Sequence, residues 1–339
     1  MRRCIPTFAR LAALLLVASI VEVWADPSVA AEMDARHETA PVVLQLHWYP
    51  QAQFAGYVMA EEKGFFRKAG VAVRLRWSVA GERPFQRLVD GQADFCIGWL
   101  SDAIRQRDAG QPLVNLAQVF QRSSALLVTW RRSGIKTPED MNGRRVGLWG
   151  GDNDVQVLAF FHRRHVQPIV VPQSASIVPF LRGAVDVASA MHYNEYHKLI
   201  EAGVSPDQLH VFSLADDGLA FPEDGIYCTE STRGDRSAAC LALATASRQG
   251  WDYALGHETE TLDAIMRHCR AANVHTNRNH QRWMLRSVAA AIRGPEGGKP
   301  APWGSLSADV YGGVARMLLD ERMIRTIPPF EQLYQPVDR

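Results

Sequence analysis

The residues of this sequence best suited to chemistry are flat or hydrogen-bonding side chains rather than nucleophiles. Trp48, Trp99 and Trp149 offer indole faces, which stack on planar heterocycles. Gln51, Gln53, Gln121 and Asn194 each bring an amide with donors and acceptors, and Tyr49 and Tyr193 each bring a hydroxyl. Glu195 adds one carboxylate, which accepts two bonds in one plane. Such a set can recognise a nitrogen-rich ring, but it pairs no nucleophile with a base. No GxSxG, GxGxxG, GxxxxGK(S/T) or HExxH pattern occurs in the chain. His162 and His165 have the spacing of a metal pair. Arg163 and Arg164 lie between them and no third ligand is evident, so both are expected at the surface.

Each of these residues also has a plainer use. Large aromatics usually plug a core. Loop glutamines are usually solvated. A glutamate at a helix N-terminus is stabilised there by about 0.3–1 kcal/mol with no ligand involved. Position favours the site reading. In open α/β sheets, ligands lie beyond the carboxyl ends of the strands. The expected strands VVLQLHW, ADFCIGW, LVNLAQVFQ and RRVGLW end at Trp48, Trp99, Gln121 and Trp149, and VDVASAM runs into Tyr193–Asn194–Glu195.

The elements that must position these residues alternate along the chain. GYVMAEEKGFFRKAG, the stretch from Pro84, SDAIRQRDAG, Asp154–His165 and NEYHKLIEAG read as helices between the strands. In TPEDMNG, Thr137 and Asp140 form a capping-box pattern around Pro138. HVFSL and GIYCTES are the last strand candidates, and beyond Arg236 the chain turns helical. Strand–helix alternation implies mainly parallel sheets, and two such sets imply two α/β lobes.

The 339 residues suit two domains. With 37 Lys and Arg against 36 Asp and Glu, no basic excess points to nucleic acid. The first 25 residues read as an export signal: Arg2, Arg3 and Arg10 precede the apolar LAALLLVASIV, and cleavage follows Ala25 or falls as late as Ala30. The apolar stretch is short for a membrane anchor. Export permits disulfides. Cys240 and Cys269 are candidates to face each other, but small buried hydrophobes are the preferred reading for Cys96, Cys228, Cys240 and Cys269.

Five blocks occur in order: HWYPQAQFAGYVMAEEKGFF, GQADFCIGWLSDA, LVNLAQVFQRSS, RRVGLWGGDND and SAMHYNEY. Together they resemble the periplasmic type II solute-binding proteins of ABC importers, over about Pro41 to Leu319. The first block and YNEY are similar to the branch that binds thiamine pyrimidine precursors. That branch is related to thiamine pyrimidine synthase and, further off, to sulfonate and nitrate binders. The resemblance implies two lobes joined by ALLVTW and GIYCTES, with the ligand in the cleft. The first lobe would be residues 41–130 plus 232–339 and the second 131–231.

The function implied is capture of an aminopyrimidine, such as formylaminopyrimidine or hydroxymethylpyrimidine, in the periplasm. Delivery would be to an inner-membrane ABC permease, by a monomer without cofactor or metal. The ligand contacts implied are Trp48, Tyr49, Gln51, Gln53, Trp99, Gln121, Trp149, Tyr193, Asn194 and Glu195. Two alternatives remain. One is a partner of a membrane sensor. The other is a synthase-like enzyme, which resemblance ties to a Schiff-base lysine, a donor histidine, a CCCFC segment, pyridoxal phosphate and iron. Gly98 and Asp102 stand where that lysine and histidine are expected, and GLAFPEDGIYC carries a single cysteine.

Overall fold

Phe95–Trp99 and Leu113–Gln118 are buried along their whole length, as near-continuous apolar runs must be in strands covered on both faces. They lie inside the first of two five-stranded sheets in the computed structural model, which describes residues 41–79, 81–294 and 301–337. The expected export signal, with Cys4 and the cleavage site, lies outside the described residues. Among the described residues, no helix is long and apolar enough to cross a membrane.

The first sheet has the order β2-β1-β3-β10-β4, with β1 Val42–Gln45, β2 Val73–Arg76, β3 Phe95–Trp99, β4 Leu113–Gln118 and β10 Asp224–Thr229. The second has the order β7-β6-β8-β5-β9, with β5 Ala125–Trp130, β6 Arg145–Leu148, β7 Ile169–Pro172, β8 Val187–Met191 and β9 Leu209–Ser213. In each sheet four strands run in one direction and the strand arriving from the other sheet runs antiparallel to its neighbours. This is the expected two-lobed α/β arrangement.

The chain passes between the sheets at residues 119–124 and 214–223. ALLVTW, expected as a crossing at the end of the first lobe, pairs along its length with β8 and β9 in the second sheet. The residues ahead of it make the crossing. The two crossings are tied together. The Asp224 carbonyl accepts from the Val119 and Phe120 amides, each at 3.0 Å. The Glu223 carbonyl accepts from Gln118 Nε2 at 2.7 Å, and the Glu223 carboxylate accepts from the Ser124 amide.

The helices after Thr229 pack largely on the first sheet's side. The helix Ser237–Gly256 crosses Ala55–Glu62 at a pair of glycines. A Cβ on Gly250 would sit 2.0 Å from the Gly56 carbonyl oxygen, and one on Gly56 would lie 2.2 Å from the buried Trp251 indole. Close approach of these backbones therefore requires both glycines.

The Thr137–Asp140 capping box forms, over the short 3-10 turn Pro138–Met141. His162 and His165 are both exposed, as expected. All four cysteines are free and buried. Cys240 does not face Cys269. Its thiol hydrogen bonds with Cys228, and Cys269 Sγ donates to the Pro50 carbonyl at 3.1 Å. The two cysteines lie on helices that present them to different neighbours.

Gly250→Ala is expected to destabilise the protein by about 1–3 kcal/mol through overpacking. Denaturant unfolding checks this, and an unchanged midpoint would show that the two helices do not touch there.

Candidate functional site

β1 ends at Gln45 rather than at Trp48. His47 and Trp48 therefore both lie in the bend that follows the strand, and both reach a cavity of about 270 Å³ between the sheets. Gln51 and Gln53, from the next turn, and Trp99, at the end of β3, complete this first wall. The facing wall comes from the second sheet. Trp149 follows β6, Met191 ends β8, and Tyr193, Asn194 and Glu195 lead into the helix Glu195–Glu201. Asn153 closes one side.

A buried carboxylate organises the first wall. Asp224 Oδ1 lies 2.9 Å from His47 Nε2 and accepts from Trp99 Nε1 at 3.2 Å. Gln53 Nε2 donates to Asp224 Oδ2 at 3.0 Å, and Gln53 Oε1 accepts from Gln51 Nε2 at 2.6 Å. His47 Nε2 also lies 3.1 Å from Gln53 Nε2, which leaves Nδ1 as the ring nitrogen turned away from this cluster. That Nδ1 is buried without a partner. A buried unsatisfied group of this kind costs about 1–3 kcal/mol, which a ligand donor would remove.

The second wall holds Glu195, only 1% exposed. Its Oε2 accepts from the Met191 amide and its Oε1 from Asn194 Nδ2, both at 2.9 Å. Burial raises its pKa above the ordinary 4.5, while Lys198 and the Met191 amide act against the rise. Burial also raises Tyr193 well above its ordinary value, with the charges of Glu223, Asp224 and Glu195 adding to the effect. Glu223, under the crossing, is likewise raised by burial and by Asp224. Behind Trp149, burial lifts Asp154 to about 6 against the Gly150 amide that it accepts from.

Eight of the ten expected residues line this one cavity: Trp48, Gln51, Gln53, Trp99, Trp149, Tyr193, Asn194 and Glu195. Two do not. Tyr49 supports Trp48 from the side, with ring centroids 5.5 Å apart and nearly perpendicular planes. Gln121 lies on the crossing rather than at a strand end, because β4 stops at Gln118, and its Nε2 is turned to the carbonyls of Gln118 and Ser305. Trp99 and Trp149 meet edge-on, at 6.4 Å and 88°, rather than as parallel plates. His47, Asn153 and Met191 were missed. Alternation along an expected strand turned His47 away from Trp48, and the early strand end removes that constraint.

The residues do not fit the pyridoxal chemistry of a synthase. A Cβ on Gly98 would lie 2.5 Å from the Phe85 ring, so the position cannot carry a lysine as packed. Asp102 is fully buried and paired with Arg105 at 2.7 Å. Among the described residues, no lysine lines this cavity or the smaller one beside it, which Gly98 and Asp102 share.

Residues 51–261 match the family described as NMT1/THI5 like. The chain belongs to the NMT1/THI5-like family. This NMT1/THI5-like chain is 22% identical over 317 residues to the formylaminopyrimidine-binding protein of Halalkalibacterium halodurans, covering 91% of this chain and 90% of that one. It is 25% identical over 214 residues to the riboflavin-binding protein RibY of Chloroflexus aurantiacus, covering 59% of this chain and 60% of that one. Among solved structures, the periplasmic aliphatic sulphonate binding protein SsuA from Escherichia coli aligns with a TM-score of 0.64 at 15% identity, over 86% of this chain and 97% of that one. The alkanesulfonate-binding protein SsuA from Xanthomonas axonopodis pv. citri aligns with a TM-score of 0.64 at 14% identity, over 87% of this chain and 99% of that one. NMT1/THI5-like membership thus comes with the periplasmic binding protein fold, and these relatives and neighbours are binding proteins rather than enzymes.

The raised pKa of Glu195 has a thermodynamic sign. A carboxyl whose folded pKa is raised contributes stability below its unfolded value and loses it as pH rises through the folded one. Glu195→Gln cannot ionise. In the ligand-free protein its stability relative to wild type is expected to improve as pH rises above about 4.5. Denaturant midpoints from about pH 4 to pH 8 check this, and a difference flat with pH would show that Glu195 is not desolvated.

Proposed function

We propose that this protein is a periplasmic solute-binding component of an ABC importer, and that its ligand is a single-ring aminopyrimidine such as a thiamine pyrimidine precursor. The observation that carries this is the composition of the cavity. Three indoles, a buried carboxyl and an unpartnered imidazole nitrogen line it, and among the described residues no arginine or lysine does. The similarity to a formylaminopyrimidine-binding protein over nine-tenths of both chains supports the same reading.

The recognition follows from the groups present. Glu195 accepts from the Met191 amide and from Asn194 Nδ2, and Trp149 is a further partner. A protonated ring nitrogen and its neighbouring exocyclic amino group present two donors side by side, the pair that a planar carboxylate accepts. The ligand's positive charge relieves the desolvation of Glu195. His47 Nδ1 takes a further donor, and Trp48, Trp99 and Trp149 cover the ring. An anionic sulfonate would meet the Glu195 carboxyl with no cation among the described residues that line the cavity. On this reading the lobes part at residues 119–124 and 214–223, near the expected boundaries at 130/131 and 231/232, and close around the ligand. The protein acts as a binder, without chemistry of its own.

Calorimetry with formylaminopyrimidine, hydroxymethylpyrimidine, riboflavin and an alkanesulfonate tests this. The aminopyrimidines are expected to bind, and Glu195→Gln to weaken them by about 1.5–3 kcal/mol, the range for a bond to a charged group. Preference for the sulfonate or flavin would overturn the ligand class. Unchanged affinity in the variant would remove Glu195 from recognition.

A further inference from the structure

The helix Glu195–Glu201 brings its first residue to the cavity and turns a second face to the helix Arg278–Arg293. On that face His197 and Glu201, one turn apart, meet His280. His197 Nδ1 lies 2.9 Å from His280 Nδ1. Glu201 Oε2 lies 3.5 Å from His280 Nδ1 and 4.0 Å from His197 Nδ1. These separations bracket the roughly 3.3 Å edge of a tetrahedron around a zinc-class ion with bonds of about 2.0 Å.

We propose that His197, Glu201 and His280 form a binding site for one divalent transition-metal ion of the zinc class, bridging the two lobes.

The proton positions favour a cation. Asn194 Nδ2 donates to Glu195, which turns its Oδ1 to His280 Nε2 at 3.1 Å. An amide oxygen only accepts, so His280 Nε2 carries the hydrogen and Nδ1 keeps its lone pair. That lone pair faces the Nδ1 of a second imidazole, and an ion between the two takes the place of a bridging proton.

The surroundings orient all three ligands, as outer-shell partners do in metal sites. Asn194 fixes His280. Asn277 Nδ2 donates to Glu201 Oε1 at 3.0 Å. Trp283 stacks on His197, with centroids 4.6 Å apart and planes 18° apart. His197 and Trp283 also line a wide open groove, which gives an entry path and a free fourth position for water. Lys198 opposes a cation and the Glu201 carboxylate offsets it. Arg282 and Arg286 on the same groove are both engaged with Glu258.

The site draws its ligands from both lobes. His197 and Glu201 follow β8 of the second sheet. The helix carrying His280 packs against residues 52–54, behind the first wall. The ion would therefore bind the closed form in preference to the open one. Metal and cavity ligand would then favour each other reciprocally. The metal site itself does not depend on which ligand the cavity holds.

Tag-free, chelator-treated protein titrated with Zn²⁺ by calorimetry is expected to take up one equivalent, and Co²⁺ to give a d–d absorption band. His197→Ala and Glu201→Gln, at partly exposed positions, are each expected to weaken Zn²⁺ by about tenfold or more. Their metal-free melting curves should stay close to wild type. No uptake by wild type, or uptake that neither substitution alters, would overturn the site.

Discussion

One buried carboxylate fixes the geometry on which the cavity depends. Asp224 is fully buried at the start of β10, where the chain returns from the second sheet. Its side chain collects His47, Gln53 and Trp99, and its carbonyl ties down the outgoing crossing at Val119 and Phe120. The same residue thus sets the first wall and the junction of the lobes. Removing the carboxylate would leave three buried donors without an acceptor, and each orphan costs about 1–3 kcal/mol.

The second wall is built differently. Glu195 and Tyr193 are desolvated, and Glu223 is buried as well, so burial opposes ionisation of all three groups. Such an arrangement is poorly settled by itself and well settled by a ligand that brings donors or positive charge. The first wall is held by the bonds that converge on Asp224, with His47 Nδ1 left open. The second is held by the bonds of Asn194 and of the Met191 amide to Glu195.

Much of this was legible in the sequence. The strand–helix alternation gave both sheets, and the strand-end rule gathered Trp99, Trp149 and Tyr193–Glu195 from segments far apart in the chain. What escaped depended on where strands actually stop. β1 ends three residues before Trp48, which frees His47 to reach the cavity, and β4 ends three residues before Gln121, which carries that amide away from it. The partnership of His197 with His280, 83 residues apart, could not be read at all. Nothing in a helical tail says which turn of it will meet another lobe. Glu223 and Asp224 are adjacent acids in the sequence, and only the packing shows that both are buried rather than in solvent.

The Phe85 ring against Gly98 has a wider meaning. A side chain at position 98 collides with that ring, so a lysine there would first need a smaller residue at 85. Emptying position 85 alone would open a hole in the core, and filling position 98 alone would overpack it. Positions 85 and 98 are therefore coupled: neither can change size alone without a packing cost, and their substitutions are not expected to be additive.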